Sequence, residues 1–460
     1  MSGAGQRQQL AGFGGNTVAT TFVEPFASPD DAQNLLGLAG PRGVIPRGGG
    51  RAYGDAARNA GGVTAVAGGE PHISADTVEG SFTASASTTL AQVIAEIVPE
   101  GLFLPVTPGT ARATIGGVIA ADVHGKNHHR DGSIGAHVLR LALVSPTGEH
   151  LELTPRDPQF QATVGGMGLT GIITSATISA MPIKTSLMRV ESRTGPDLAG
   201  TMAALQEMDE RHRYSVAWLD LLARGRGLGR GVVLAGDHAS LDEITGTNHG
   251  RDPLHRGTEH AIRVPIRPRW NLLSRSGVAA FNRAYYTMHH RKTGWSFEDI
   301  SSFFHPLDAV QDWNLLYGPR GFIQYQFVVP DDSAGITALV RAIQAVRRSG
   351  YPGFLTVLKR FGPEGAALLS FPRSGWTLTI DLPCRHGLAA LVRQLDDLVL
   401  SAGGRVYLAK DATATPEQVE AMYPRLTAWR NVQRSMDPGG TMQSDLSRRL
   451  RLTTPPRGPT

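Results

Sequence analysis

Residues 45–57, IPRGGGRAYGDAA, set three consecutive glycines between two arginines and close on Tyr-Gly-Asp. Backbone without Cβ atoms lets successive N–H groups converge on an anion, and flanking cations suit a phosphate. Two more glycine clusters follow, TPGTARATIGGVIAADVHGKNHH at 107–129 and VGGMGLTGI at 164–172. The last holds a G-x-G-x-x-G at Gly166, Gly168 and Gly171, with Glu191 further on, so a Rossmann dinucleotide site is the first reading to test. It fails on context. That fingerprint opens a helix whose N-terminus holds the pyrophosphate, whereas GIITSATISAM at 171–181 is β-branched and reads as a strand.

The 460 residues imply two or three folded units, and 41% hydrophobic with 18% charged residues is the composition of a soluble globular protein. No run approaches the roughly 18 apolar residues of a membrane-spanning helix. The first residues lack the basic start and apolar core of a secretory signal, so a cytoplasmic or peripherally membrane-associated protein is expected. The single cysteine, Cys384, excludes an intramolecular disulfide and a multi-cysteine metal site; no metal is expected, and the thiol is assigned no catalytic role.

Charge is uneven. Residues 222–295 carry 12 Lys and Arg against 5 Asp and Glu, while the whole chain is only +5. Arg is mixed there with Trp, Tyr and His and shows little periodicity. Two readings stand: a solvated loop region, or a surface for anionic lipid headgroups or a phosphorylated substrate. Nucleic acid is not expected as a partner, because no reader motif accompanies the charge.

Ser28 before Pro29, Asp30 and Asp31 starts a helix. SFTASAST reads as a strand, and Leu90, Val93, Ile94, Ile97 and Val98 follow at helical spacing. ATIGGVIAADVHG, LRLALVSPTGEHLELT and GIITSATISAM all read as strand-like. From about Lys184 the texture changes. FIQYQFVVP, FLTVLKRF, GWTLTIDLP and RVYLAKD read as strands around two helices, 333–350 and 386–404, the first burying Ile336, Leu339, Val340 and Ile343. That order predicts an antiparallel sheet with helices on one face, an α+β domain. Side-chain alternation puts Gln324 with Gln326, Lys359 with Phe361, and Thr377 with Thr379 and Asp381 on shared faces. Such a face is either half solvated or the polar wall of a cleft.

In order and spacing, the three glycine clusters resemble the flavin domain of the vanillyl-alcohol-oxidase type of FAD-dependent oxidoreductases. The resemblance extends over essentially the whole chain and implies a two-domain α+β flavoprotein. Residues 1–184 would form the FAD-binding α+β domain, and 185–404 an antiparallel-sheet substrate domain with 222–295 as a basic loop region. Residues 405–460 would return to the FAD-binding domain. By position, Pro46, Arg47, Gly48, Gly49, Gly50, Arg51, Ala52, Tyr53, Gly54, Asp55 and Ala56 would wrap the pyrophosphate. Gly109, Thr114, Ile115, Gly116, Gly117, Ala121, Asp122, Val123, His124 and Ile172 would complete the cofactor contacts, with Tyr407 reaching the flavin from the last strand. Covalently flavinylated relatives place a histidine at or near position 53; Tyr53 implies non-covalent FAD.

HGKNHHRDGSIG, YSVAWLD, FFHPLDAV, FIQYQF and YLAKD are similar to members of this family that act on a lipid-phosphate-linked sugar. Those members oxidise the 2′-hydroxyl of a polyprenylphosphoryl-β-D-ribose to a ketone. A separate NADH-dependent reductase partner then completes epimerisation to the arabinose donor of actinobacterial cell-wall arabinan. The similarity implies Lys410 and His124 as the catalytic, proton-handling candidates. It implies a substrate pocket of Trp218, Gln324, Gln326, Lys359, Phe361, Thr377, Thr379 and Lys410. Mycobacterial members carry asparagine and cysteine where this chain has Thr377 and Thr379, which leaves other substrates open: another sugar alcohol, an aldonolactone, or a phospho-sugar or nucleoside. A non-catalytic flavoprotein or membrane scaffold is the reading from a different class.

Overall fold

The computed structural model describes residues 5–245, 248–255 and 261–455. Ser28 and Asp31 form a capping box that starts the helix Pro29–Gly37, and Thr89 with Gln92 does the same for Leu90–Ile97, whose Leu90, Val93, Ile94 and Ile97 are buried. These helices cover two sheets. One is four-stranded, in the order Gln6–Ala11, Val18–Phe26, Val63–Ala67, Val44–Arg47, with the last three strands parallel. The other is five-stranded and antiparallel, in the order Ile73–Asp76, Ser81–Ser85, Ile172–Ser179, Val138–Val144, His150–Leu153. The strand at Ile172–Ser179 directly follows the third glycine cluster, which removes the Rossmann reading.

One strand expectation is corrected. Residues 114–124 do not form a strand: Thr114 caps the helix Ile115–Ala120, with Ile115, Val118 and Ile119 buried together at i, i+3 and i+4 spacing. β-Branched content misled there, and burial of one helical face outweighs it.

The second domain is an eight-stranded antiparallel sheet in the order Gly294–Asp299, Leu187–Gly195, Gly231–His238, Tyr214–Leu219, Thr356–Phe361, Gly375–Pro383, Phe322–Val329, Arg405–Val406. Every residue of Phe322–Val329 and Gly375–Pro383 is buried, so both faces of these central strands are covered. The helices Ser333–Arg348 and Leu388–Ser401 supply one cover. Within the first, Leu339 and Ile343 are buried as expected, but Ile336 is exposed and Ala338, Ala342 and Val346 take the inner face.

Residues 222–295 are not a loop region. Gly231–His238 is an interior strand of the sheet and Arg275–Arg291 is a 17-residue helix capped by Ser274, with Val278 and Asn282 buried. Central strands and a partly exposed helix in one segment average out any single period. RVYLAKD also differs from its reading: only Arg405 and Val406 pair, and Tyr407–Lys410 is a turn. The chain then crosses back. The helices Pro416–Met422, Leu426–Met436 and Asp445–Arg449 return to the first domain, where Trp429 donates to the Ala162 carbonyl and Val44 N–H to that of Thr441. Among the described residues no helix is long and apolar enough to cross a membrane.

Candidate active site

A cavity of about 640 Å³ lies between the glycine clusters and the non-helix face of the eight-stranded sheet. Its first wall is the 46–57 loop. A Cβ on Gly48 would lie 2.0 Å from Thr114 Oγ1, and one on Gly49 would lie 2.6 Å from the Arg112 carbonyl, so the loop runs closer to its neighbours than any side chain allows. Among the described residues the N–H groups of Gly49, Gly50, Arg51 and Ala52 meet no acceptor. Four consecutive free donors form an anion cradle, and the residues present therefore fit the diphosphate of FAD.

The two arginines divide the work. Arg47 donates to the carbonyls of Ala57 and Ala11, which holds the loop in shape. Arg51 lies 5.1 Å from the Phe13 ring centroid, and its Nε is buried with no partner among the described residues.

Of the expected cofactor residues, Gly54, Asp55, Ile115, Asp122 and Ile172 do not line the cavity, while the others do. Each of these five makes contacts of its own. Gly54 passes the Asp411 carbonyl too closely for a Cβ, and Asp55 pairs with Arg449. Ile115 and Ile172 are core residues. Asp122, held at φ 41°, accepts from Gly135 N–H and the Ser370 hydroxyl, fixing the turn that aims His124. Tyr407 gives its hydroxyl to the Ala121 carbonyl at 2.7 Å and stacks on Phe371, so it offers the cavity a ring.

The opposite wall is the sheet. Alternation placed its residues correctly: Gln324 donates to Asp381 at 2.7 Å and Gln326 to the Thr377 hydroxyl at 3.1 Å, and Gln324, Gln326, Lys359 and Thr379 line the cavity with Trp218. Thr377 and Phe361 do not. Thr377 is buried behind Gln326, and Phe361 packs on His124 and His128 with ring centroids 4.7 and 4.5 Å away.

A chain of donors fixes the state of His124. Thr377 gives its hydroxyl proton to the Phe327 carbonyl, so its oxygen accepts from the Gln326 amide nitrogen. The same nitrogen donates to His124 Nε2 at 3.0 Å, which leaves the ring proton on Nδ1, a buried atom without a partner among the described residues. Burial, reinforced by Lys359, Lys410 and His128, holds the His124 pKa well below the usual range. His124 is a neutral ring lining the cavity, with Nε2 engaged by Gln326 and the proton on buried Nδ1.

Lys410 lies in the turn, its ammonium 5.5 Å from the Tyr53 ring centroid. Burial, then Lys359, lowers its pKa to about 7, with Asp381 opposing. Lys359 donates to the Gly125 carbonyl at 3.4 Å, and burial brings its pKa to about 8. A third lysine went unassigned in the sequence: Lys126, two residues past His124, donates to the Phe303 carbonyl, sits 4.0 Å from that ring's centroid, and is brought to about 7 by burial. Tyr285, His289 and Glu298 also line the cavity unforeseen. Tyr285 and His289 come from the basic segment and Glu298 from the edge strand Gly294–Asp299 that runs out of it; neither the helix nor this strand was recognised.

Residues 21–154 match an FAD binding domain family, and residues 378–450 match a D-arabinono-1,4-lactone oxidase family. With the cradle and the sheet-lined cavity, this defines the chain as an FAD-dependent oxidoreductase. It is 40% identical, over 97% of its length and 98% of the relative's, to decaprenylphosphoryl-β-D-ribose oxidase of Mycolicibacterium smegmatis, and it belongs to that family. It is also 36% identical to an uncharacterised protein of Streptomyces coelicolor, covering 79% of this chain and all of that one. A probable L-gulonolactone oxidase of Arabidopsis thaliana is 28% identical over 25% of this chain and 21% of its own length.

Tyr53, which lines the cavity, stands where the resemblance implies a histidine in covalently flavinylated relatives. Acid or detergent denaturation is expected to release free FAD into the supernatant; flavin that stays with the precipitated chain contradicts this.

Proposed function

We propose that the protein oxidises the 2′-hydroxyl of a polyprenylphosphoryl-β-D-ribose to the 2′-keto sugar. The carrying observation is the convergence of Lys126, Lys359 and Lys410 on one cavity, none of them in an ion pair among the described residues. Glu298 partly offsets Lys126 and Asp381 partly offsets Lys410, but neither forms an ion pair with its lysine; buried ammonium groups without a paired carboxylate call for an anionic ligand, and a phosphorylated sugar supplies one beyond the cofactor's own diphosphate. FAD, when bound, supplies the hydride acceptor. Lys410, with a pKa of about 7, takes the hydroxyl proton in its neutral form. Gln326 Oε1, buried without a partner among the described residues, and the His124 Nδ1 proton offer one acceptor and one donor to orient the sugar.

The ketone produced is itself a hydride acceptor, which suits a separate NADH-dependent reductase as partner in forming the arabinose donor for cell-wall arabinan. A second reading draws on the lactone oxidase match at 378–450: oxidation of an uncharged aldonolactone or sugar alcohol with oxygen. In that reading Lys410 keeps its use as the base, but Lys126 and Lys359 have no substrate anion to meet. Anaerobic addition of a prenylphosphoryl ribose is expected to bleach the bound flavin. No bleaching with that sugar, together with peroxide formation from free polyols or lactones, overturns the substrate assignment.

A further inference from the structure

We infer that the face formed by residues 261–291 docks on an anionic lipid bilayer. Residues 261–297 contain seven Lys and Arg and no Asp or Glu. All seven cations are exposed; Arg263 pairs with Asp312, and Arg267, Arg269, Arg275, Arg283, Arg291 and Lys292 make no ion pair among the described residues. Large apolar side chains are exposed among them: Ile262 at 76%, Ile266 at 74% and Trp270 at 68%, with Leu272, Phe281 and Met288. On the Arg275–Arg291 helix, Phe281 and Met288 lie seven residues apart on the outward face, while Asn282 on the inward face donates to Asp220. Exposed apolar groups interleaved with unpaired arginines match a surface that offers hydrocarbon below and negative headgroups above; a soluble anion would leave the apolar half in water.

The face also adjoins the cavity. Ile262–Arg263 pairs with Val310–Gln311, and Leu272 N–H donates to the Leu316 carbonyl. Val310, Gln311, Asp312 and Trp313 line the cavity, as do Tyr285 and His289 from the helix. Tyr285 stands between Trp218, 4.9 Å away inside the cavity, and Phe281, 5.9 Å away on the outward side. An aromatic path therefore joins the cavity to the proposed lipid-facing surface. The docking itself does not depend on which sugar is oxidised.

The test is co-sedimentation of the FAD-loaded full chain with phosphatidylcholine vesicles, with and without phosphatidylglycerol. Binding is expected only to the anionic vesicles, with a blue shift in tryptophan emission and loss of binding in high salt. Each basic residue near such a surface is worth about fivefold, so Arg267→Gln with Arg269→Gln is expected to weaken partitioning about 30-fold. Trp270→Ala is expected to remove most of the blue shift, and Arg341→Gln with Arg393→Gln, on the helices Ser333–Arg348 and Leu388–Ser401 that cover the other side of the sheet, to change nothing. An unchanged flavin spectrum verifies the fold of each variant. Equal binding to both vesicle types, no binding to either, or insensitivity to the 267, 269 and 270 substitutions overturns the proposal.

Discussion

Lys410→Ala is expected to slow reduction of the bound flavin by the alcohol substrate by about 10²–10⁴-fold, the usual worth of a positioned general base, while FAD stays bound. The expectation rests on burial. An ordinary lysine is protonated at neutral pH and has no lone pair to offer; here burial and the neighbouring Lys359 bring the pKa to about 7, so a large fraction of the enzyme carries a neutral amine. The rate of flavin reduction is expected to rise with pH through this midpoint and level off above it, because the competent form is the deprotonated one. Bound diphosphate and phosphate favour the ammonium and move the midpoint upward from about 7. In Lys410→Ala the rise is expected to vanish. Lys410→Arg is expected not to rescue it, since a guanidinium stays charged. Rapid-mixing anaerobic spectroscopy reads both, and less than a tenfold loss in the alanine variant contradicts the role. The same shift has a stability consequence without ligands. Between about 7 and the ordinary 10.5 the unfolded chain binds more protons at this residue, so stability rises with pH across that window.

Much of this site was legible in the sequence because strands have a period of two. Once FIQYQF, LKRF and WTLTIDLP were read as strands, Gln324, Gln326, Lys359 and Thr379 had to share faces in pairs, and the structure places them on one wall. The glycine loop was legible for a similar reason, since a run without Cβ atoms has few uses other than close approach. What escaped depends on contacts distant in sequence. The tautomer of His124 is set by Gln326, 202 residues away, and Gln326 is set in turn by Thr377. The helix Ile115–Ala120 escaped because β-branched residues and two glycines disguise its period, and only the buried face of Ile115, Val118 and Ile119 reveals it. The basic segment was legible in charge but not in shape. Among the described residues its arginines are divided between the short helical turns Gly225–Gly227 and Asn248–Arg251, the two-residue strand Ile262–Arg263, the helix Arg275–Arg291 and the chain around them, and no single period spans all of these.

Arg449→Met is expected to cost about 3–5 kcal/mol of stability, the range for removing one partner of a buried ion pair. The Arg449 side chain donates to both oxygens of Asp55 at 2.8 Å, to Asp411 at 2.8 Å and to the Ala414 carbonyl at 2.7 Å. The two carboxylate side chains are only 10% and 4% exposed, against 25% for Arg449, so water reaches one edge of the guanidinium but replaces little of what it gives the carboxylates. The position matters as much as the energy. Asp55 ends the pyrophosphate loop, Asp411 follows Lys410, and Arg449 belongs to the returning C-terminal helix. Tyr53 N–H adds a bond to the Ala409 carbonyl, and Gly54 lies so close to Asp411 that a Cβ would come within 1.8 Å of its carbonyl oxygen. One side chain thus ties the cofactor cradle to the turn carrying the proposed base, across a sequence separation of 394 residues. Denaturant unfolding of the variant is expected to show the loss, with faster release of FAD and a slower reductive step from a displaced Lys410. Adding Asp55→Asn and Asp411→Asn is expected to restore part of the stability, because the uncompensated charges go with the carboxylates. A loss below about 1 kcal/mol, the range of an exposed pair, shows that the clamp does not hold the two parts together.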